Sequence, residues 1–388
     1  MNARVNWPRT AVWWRRLGVM TAKEIRQLLR DPVLLSFMAF LFTVNIYLQG
    51  SSVSMQLNRA ALVVQDADHS AASRELIHRF RPPYFRLDGE VDSSRQAIGL
   101  LDRGEAMVTL DIPPRFQESL LRGESASVLM QVDATHPMPA FLASSYAARI
   151  VGQFGLEVAL AREGLSSGSL EDLPVVIDDQ RVWFNPNQKD TWFMPISELL
   201  EGITLFAILL PAAAMVREKE RGTMEQLLVS PLSPFQIMFP KVIAMTLVIL
   251  VGMSLSLFAV LGPMFQVPMR GSLPLFYFVT TLYVFANAGL GLFAATIARN
   301  LAQVGLLSLL IVAPIILLSG LWTPPEAMPT WMRWATMASP LRHYIDAAYG
   351  ILLKGAGLDL LWDSVLAIGV LGALIFSFGM RRFRGQFA

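Results

Sequence analysis

Six apolar runs divide the chain. They are Val33–Gly50, Phe193–Val216, Val242–Phe265, Leu275–Ile297, Leu301–Leu321 and Leu360–Met380. At about 1.5 Å of helical rise per residue, each is long enough to cross a hydrocarbon core of about 30 Å. Ahead of the first run, Val12, Trp13, Leu17, Met20, Ile25, Leu28 and Leu29 recur at helical spacing among basic residues. That pattern predicts an amphipathic helix lying in the membrane plane over residues 1–32, broken by Asp31-Pro32. The basic leader and the apolar run are both too long for a cleavable signal, which predicts an uncleaved first span over 33–52.

Between the first and second runs the pattern changes. Ala61–Gln65, Ala106–Leu110 and Ser127–Val132 read as short strands. Ala71–Arg81, Ser93–Arg103, Pro113–Gly123 and Pro139–Glu163 read as helices. Strands alternating with helices predict a small α/β domain over 53–190. Trp183, Phe184 and Trp192 around Asn185-Pro186-Asn187 suit an interfacial belt where the chain returns to the bilayer. Residues 322–358 are too polar and proline-rich for a span and predict short outer-surface or re-entrant helices.

Composition agrees with the pattern: 54% of residues are hydrophobic and only 16% charged, with a mean hydropathy of +0.46. Charge then orients the spans. Arg4, Arg9, Arg15, Arg16, Lys23, Arg26 and Arg30 precede the first span; Arg217, Lys219, Arg221, Lys241 and Arg299 flank later ones; Arg381, Arg382 and Arg384 follow the last. The loop between the third and fourth spans holds only Arg270. Both termini are therefore expected in the cytoplasm and the α/β domain outside it. The predicted architecture is a polytopic α-helical membrane protein, with six transmembrane helices and a small extracytoplasmic α/β domain inserted after the first span. A net charge of +2 without a basic stripe gives nucleic-acid binding no support. With no cysteine, the chain has neither disulfides nor a thiolate nucleophile.

Catalytic chemistry is sparse. No G-x-x-x-x-G-K-[ST] phosphate loop occurs, and none of the five lysines follows a glycine, so any ATP used is expected on another polypeptide. His69, His78, His136 and His343 lack metal-ligand spacing. Gly164, Ser166 and Gly168 match G-x-S-x-G, but a predicted helix precedes the serine where a hydrolase needs a strand. Glu198 and Glu201 share one helix face near the outer end of the second span. They are candidates to meet a cationic substrate, a proton or an arginine of another helix, or to lie solvated at headgroup level. Asn45 and Asn287 are candidate inter-helix polar contacts, and Ala286, Ala288, Gly289 and Gly291 offer a surface for close packing.

One polar stretch, Arg217–Lys241, lies between two membrane-length runs. Within it Glu220–Leu228 (ERGTMEQLL), Ser230–Pro234 (SPLSP) and Lys241 resemble the cytoplasmic loop of ABC transporter permeases of the type 2 export family. The likeness continues in Ser319–Pro329, Pro340–Arg342, Gly350–Gly357, Lys23–Pro32 and Val182–Pro186. The resemblance implies a non-catalytic permease subunit in a bacterial inner membrane, exporting drugs or other amphiphiles. Permeases for lipid or polysaccharide are the alternative within transport; a membrane hydrolase using Ser166 and a scaffold for periplasmic partners are the alternatives outside it. The resemblance further implies a second permease copy, identical or a sister chain, and separate ATPase subunits that carry ATP and magnesium. A periplasmic adaptor, an outer-membrane channel and membrane lipid complete the expected partners. It gives the loop a coupling role: Arg217, Glu218, Lys219, Glu220, Arg221, Thr223 and Glu225 would meet the ATPase, with Leu227 and Leu228 packing beneath and Gly222 permitting close approach.

Overall fold

The computed structural model describes residues 9–52, 57–135, 137–162, 184, 190–223, 233–321, 323 and 325–385. It separates into two compact units, a helical one from 1–53 and 182–388 and a smaller one spanning 54–181.

The helical unit opens with α1 (Arg9–Leu29). Its inward stripe consists of Leu17, Glu24 and Leu28, with Trp13 and Met20 partly covered. Leu29, expected on that stripe, instead faces outward at 59% exposure. The spacing of seven residues from Leu17 to Glu24 puts a carboxylate in line with the apolar positions. Asp31 then accepts a hydrogen bond from the Leu34 N–H and caps α2 (Pro32–Phe40), whose proline occupies the first turn, where a missing N–H costs nothing. A π-helical turn at Leu41–Asn45 carries it into α3 (Ile46–Ser52).

In the smaller unit the order is β1 (Ala60–Asp66), α4 (Ala71–Arg79), β2 (Phe85–Glu90), α5 (Ser94–Asp102), β3 (Val108–Ile112), α6 (Phe116–Arg122), β4 (Leu129–Val132) and α7 (Pro137–Arg162). The sheet runs β2-β1-β3-β4, with β1 parallel to β2 and β3, and β4 antiparallel to β3. Leu62 and Val64 face one core with Val108, Leu110 and Phe154, while Val63 faces another with Val91 and Ala97. A strand covered on both faces reads as a continuous apolar run, as ALVVQ does. Strand β2 carries no such signal, because it is an edge strand whose residues beyond Phe85 are all exposed. Ser166 lies outside the described residues.

The helical unit resumes with α8 (Phe193–Glu220), α9 (Pro234–Leu255) and a π turn at Ser256–Leu261. It continues with α10 (Leu273–Ile297), α11 (Leu301–Leu317), α12 (Thr330–Met337), α13 (Pro340–Tyr349) and α14 (Leu358–Arg384). Among the described residues, five stretches are long and apolar enough to cross a membrane: Pro32–Ser51, Phe193–Glu220, Phe235–Leu261, Leu273–Ile297 and Leu358–Phe383. The apolar helix α11 is shorter, at 17 residues.

Helix α8 is the axis, with nearly every residue from Ile203 to Val216 buried. Helix α10 packs against it and against α14 through glycines: a Cβ on Gly289 would lie 2.6 Å from the Ile375 carbonyl oxygen, and one on Gly291 would run into the Ile208 carbonyl. The expected small-residue surface around Asn287 is thus where three helices meet at backbone distance. The described residues of 322–358 include two unlike short α-helices, the second continuing into a π-helical turn at Gly350–Lys354. Helix α12 turns Trp331 and Trp334 outward, whereas α13 buries Leu341, Tyr344 and Ala348 in the core.

Candidate functional site

At both ends of the polar stretch between the second and third apolar runs, the described residues are helical. Helix α8 continues past Val216 to Glu220, and α9 starts at Pro234 on a capping box between Ser233 and Gln236. The stretch expected to be loop over 217–241 is therefore helical at both ends, over 217–220 and 234–241. Charged residues extend the helices because they find partners there: Glu218 stands on the last turn of α8 and Lys241 on the second turn of α9.

Those two residues close a ring with α1. Lys241 Nζ lies 2.7 Å from Glu24 Oε1 and 2.8 Å from Glu218 Oε1. Lys23 Nζ lies 2.7 Å from Glu218 Oε1 and 3.2 Å from Glu24 Oε1. Around the ring the charges alternate, and every edge is an attraction. The Lys241 side chain is 0% exposed, Glu24 2% and Glu218 3%, while Lys23 is 44% exposed and forms the ring's open corner. Burial pulls the Lys23 ammonium down, but its hydrogen bond to Glu218 and the charges of Glu24 and Glu218 outweigh that, and its pKa is raised. Two buried carboxylates and one buried ammonium would each be costly alone, and mutual neutralisation is what makes the arrangement tolerable.

Neighbouring charges add tethers. Arg217 Nη2 donates to Asp31 Oδ2 at 2.8 Å, tying the end of α8 to the cap of α2. Burial pushes the Asp31 carboxyl up, yet hydrogen bonds from the Leu34 N–H and Arg217 outweigh it and hold the pKa below its ordinary value. Lys219 Nζ donates to the Ala295 carbonyl, and Glu220 accepts from the Leu301 N–H. Arg221 and Gly222 are exposed, Gly222 at φ +65°, a left-handed turn that ends the helix without strain. Thr223 Oγ1 donates to the Glu218 carbonyl. Glu225, Leu227 and Leu228 lie outside the described residues.

The structure joins two other residues singled out from sequence. Asn45 Nδ2 donates to Glu198 Oε2 at 2.9 Å, linking the π turn of the first apolar stretch to the first turns of α8. Glu201 is half-buried one turn further along. Below it, Thr204 shares a hydrogen bond of 2.8 Å with the Tyr283 hydroxyl, and the Tyr283 ring stacks on Tyr344 at 4.1 Å. Tyr344 in turn bonds Thr280 at 2.9 Å, and Asn287 Nδ2 donates to the Tyr283 carbonyl. Among the described residues no group of three or more histidine, aspartate and glutamate side chains is placed to hold a metal.

Sequence reasoning missed the ring as a unit. Lys23 and Lys241 stand out there as basic flanks and as members of the resembling segments, Glu218 as a loop residue, and Glu24 only as part of Lys23–Pro32. The available signal was Lys241, a cation set in the apolar run of α9, where an uncompensated charge is unfavourable.

Apolar helices of membrane-spanning length, packed through glycines around buried polar bonds, define the class: a helical, polytopic membrane protein. Residues 32–381 match the model of the ABC-2 family transporter protein, and the chain belongs to that family. It is 36% identical over 371 residues to the inner membrane transport permease YhhJ of Escherichia coli, covering 95% of this chain and 97% of that one. It is 28% identical to the probable multidrug ABC transporter permease YbhR of the same organism, covering 96% and 99%. ABC transporter G family member 20 of Dictyostelium discoideum is 24% identical over 91% of this chain but only 48% of its own length.

Proposed function

We propose that the chain is the membrane-spanning permease subunit of an ATP-driven exporter in a bacterial inner membrane, moving drugs or other amphiphilic compounds outward. It works as a pair of permease copies over separate ATPase subunits, which bind ATP and magnesium. Both termini and the 221–233 segment face the cytoplasm, and the α/β unit faces the other side. Family membership and the multidrug naming of one relative support this reading.

The observation that carries the mechanism is the ring at the roots of the 221–233 segment. Glu218 anchors one root through Lys23 and Lys241 the other through Glu24, adjacent residues of α1, and the two roots pair with each other. A push from a closing ATPase on the exposed Arg221 and Gly222 and the residues after them cannot move one root alone. It displaces α1, α8 and α9 together. Helix α8 then carries the displacement through the core to Glu198, whose bond to Asn45 reports the position of the first apolar stretch. A carboxylate at that level, partnered by a neutral amide rather than a cation, suits a path for cationic amphiphiles.

The test is purification of the full chain in mild detergent with its native partners, followed by measurement of compound-stimulated ATP hydrolysis. An ATPase should co-purify, and reversing Arg221 to Glu should reduce its recovery. Absence of any ATPase, or hydrolysis indifferent to every amphiphile tried, contradicts the proposal.

A further inference from the structure

At the C-terminal ends of α10 and α14 a cavity of about 360 Å³ is lined by Phe293, Thr296, Ile297, Arg381, Arg382 and Gly385. Arg381 and Arg382 are both exposed and make no ion pair among the described residues. Two adjacent guanidinium groups present donors for a phosphate, which guanidinium binds through paired N–H groups, while the Thr296 hydroxyl donates to the Phe293 carbonyl. Leu366, Val370, Leu374 and Phe378 follow one another at intervals of four residues along α14 and are 52% to 64% exposed. From Leu366 to Phe378 the helix rises about 18 Å, close to the roughly 15 Å of one hydrocarbon leaflet. Phe293 packs against Phe378 at 5.5 Å and joins the cavity floor to this band.

We infer that this cavity and band bind one anionic phospholipid, its phosphate headgroup held by Arg381 and Arg382 and an acyl chain lying along Phe378, Leu374, Val370 and Leu366. The two positive charges select an anionic headgroup over a zwitterionic one, and the leaflet-length band selects a lipid over a free phosphate ion. The unpaired arginines at the end of the band favour an anionic lipid over a second copy of the chain as its occupant.

Because the chain has no cysteine, a Leu374→Cys variant carries one thiol for a fluorescent label. The labelled full-length protein is reconstituted in vesicles containing small fractions of phosphatidylglycerol or phosphatidylcholine brominated on the acyl chain. Phosphatidylglycerol should quench at about tenfold lower mole fraction than phosphatidylcholine. Arg381→Gln/Arg382→Gln should bring the two lipids level. The charge-keeping Arg381→Lys/Arg382→Lys variant should retain part of the preference, which guards against loss of folding or insertion in the neutral pair. Equal quenching by both lipids in the unsubstituted background overturns the inference. So does loss of the preference on adding inorganic phosphate, which would assign an anion site without a lipid. Efficient disulfide formation between the introduced thiols of two unlabelled Leu374→Cys chains would show the band covered by a second copy and would overturn it as well.

Discussion

Two clusters of ion pairs in this molecule have nearly the same bond lengths and opposite surroundings. In the α/β unit, Arg79 Nη2 lies 2.7 Å from Glu75 and 2.6 Å from Glu157. In the helical unit, Lys241 Nζ lies 2.7 and 2.8 Å from Glu24 and Glu218. Glu75 and Glu157 are 61% and 46% exposed, whereas three of the four side chains in the helical cluster are at most 3% exposed. Distance does not separate them; water does. The exposed trio is screened and loses little when broken, while the buried ring has no solvent to fall back on. An arrangement of that kind is weak evidence for stability and better evidence for a fixed register between the three elements it joins.

The largest expected break of this contrast is Lys241→Met. It leaves Glu24 and Glu218 buried beside Lys23 alone and should cost about 3–5 kcal/mol, seen as a fall in the unfolding midpoint of the detergent-solubilised chain. Next is Gly289→Ala, which drives a methyl group into the α14 backbone at Ile375 and should cost about 1–3 kcal/mol by the same measurement. A double-mutant cycle between Asn45→Ala and Glu198→Ala should return a coupling energy of about 0.6 kcal/mol, the average for polar bonds between membrane helices, and no more than about 1.7 kcal/mol. Arg79→Met should cost only about 0.2–1 kcal/mol, some of it from its position 5.0 Å over the Phe154 ring. A large loss there, or none at Lys241, would reverse the contrast.

The smallest effect sharpens it through pH. The folded pKa of Asp31 lies below its unfolded value of about 3.9, so its contribution is complete well above that value and fades as pH falls through the folded one. The difference in unfolding midpoint between the unsubstituted chain and Asp31→Asn should stay constant from about pH 6 to 8 and shrink below about pH 4. A difference that grew on acidification would contradict the Arg217 pairing.

What could be read from the sequence divides along the same line. The apolar runs, the strands β1 and β3 and the small-residue patch around Asn287 were legible, because local periodicity and residue size carry them. Strand β2 was not, since an edge strand with one buried residue has no alternating pattern. Asn45 and Glu198 were recognised singly, as polar residues in apolar surroundings, but their bond spans 153 positions and depends on how two helices are docked. The ring hid for a related reason. Glu24 and Lys23 look like ordinary members of a charged leader until α1 is seen turning Glu24 inward with Leu17 and Leu28, and the pairing of Glu218 with Lys241 needs the loop to fold back on itself.

The claim that the ring transmits motion from the loop to α1 is tested most directly by charge inversion, read out as compound-stimulated ATP hydrolysis in the complex with its ATPase. Lys241→Glu alone puts like charges on two edges and should abolish stimulation. Exchanging only Glu218 and Lys241 restores net charge but leaves like charges along two other edges, and should remain defective. Inverting all four of Lys23, Glu24, Glu218 and Lys241 restores alternation on every edge and should recover stimulation. A Lys241→Glu protein that couples as well as the unsubstituted chain, or a folded fourfold inversion as uncoupled as the single change, would contradict the account.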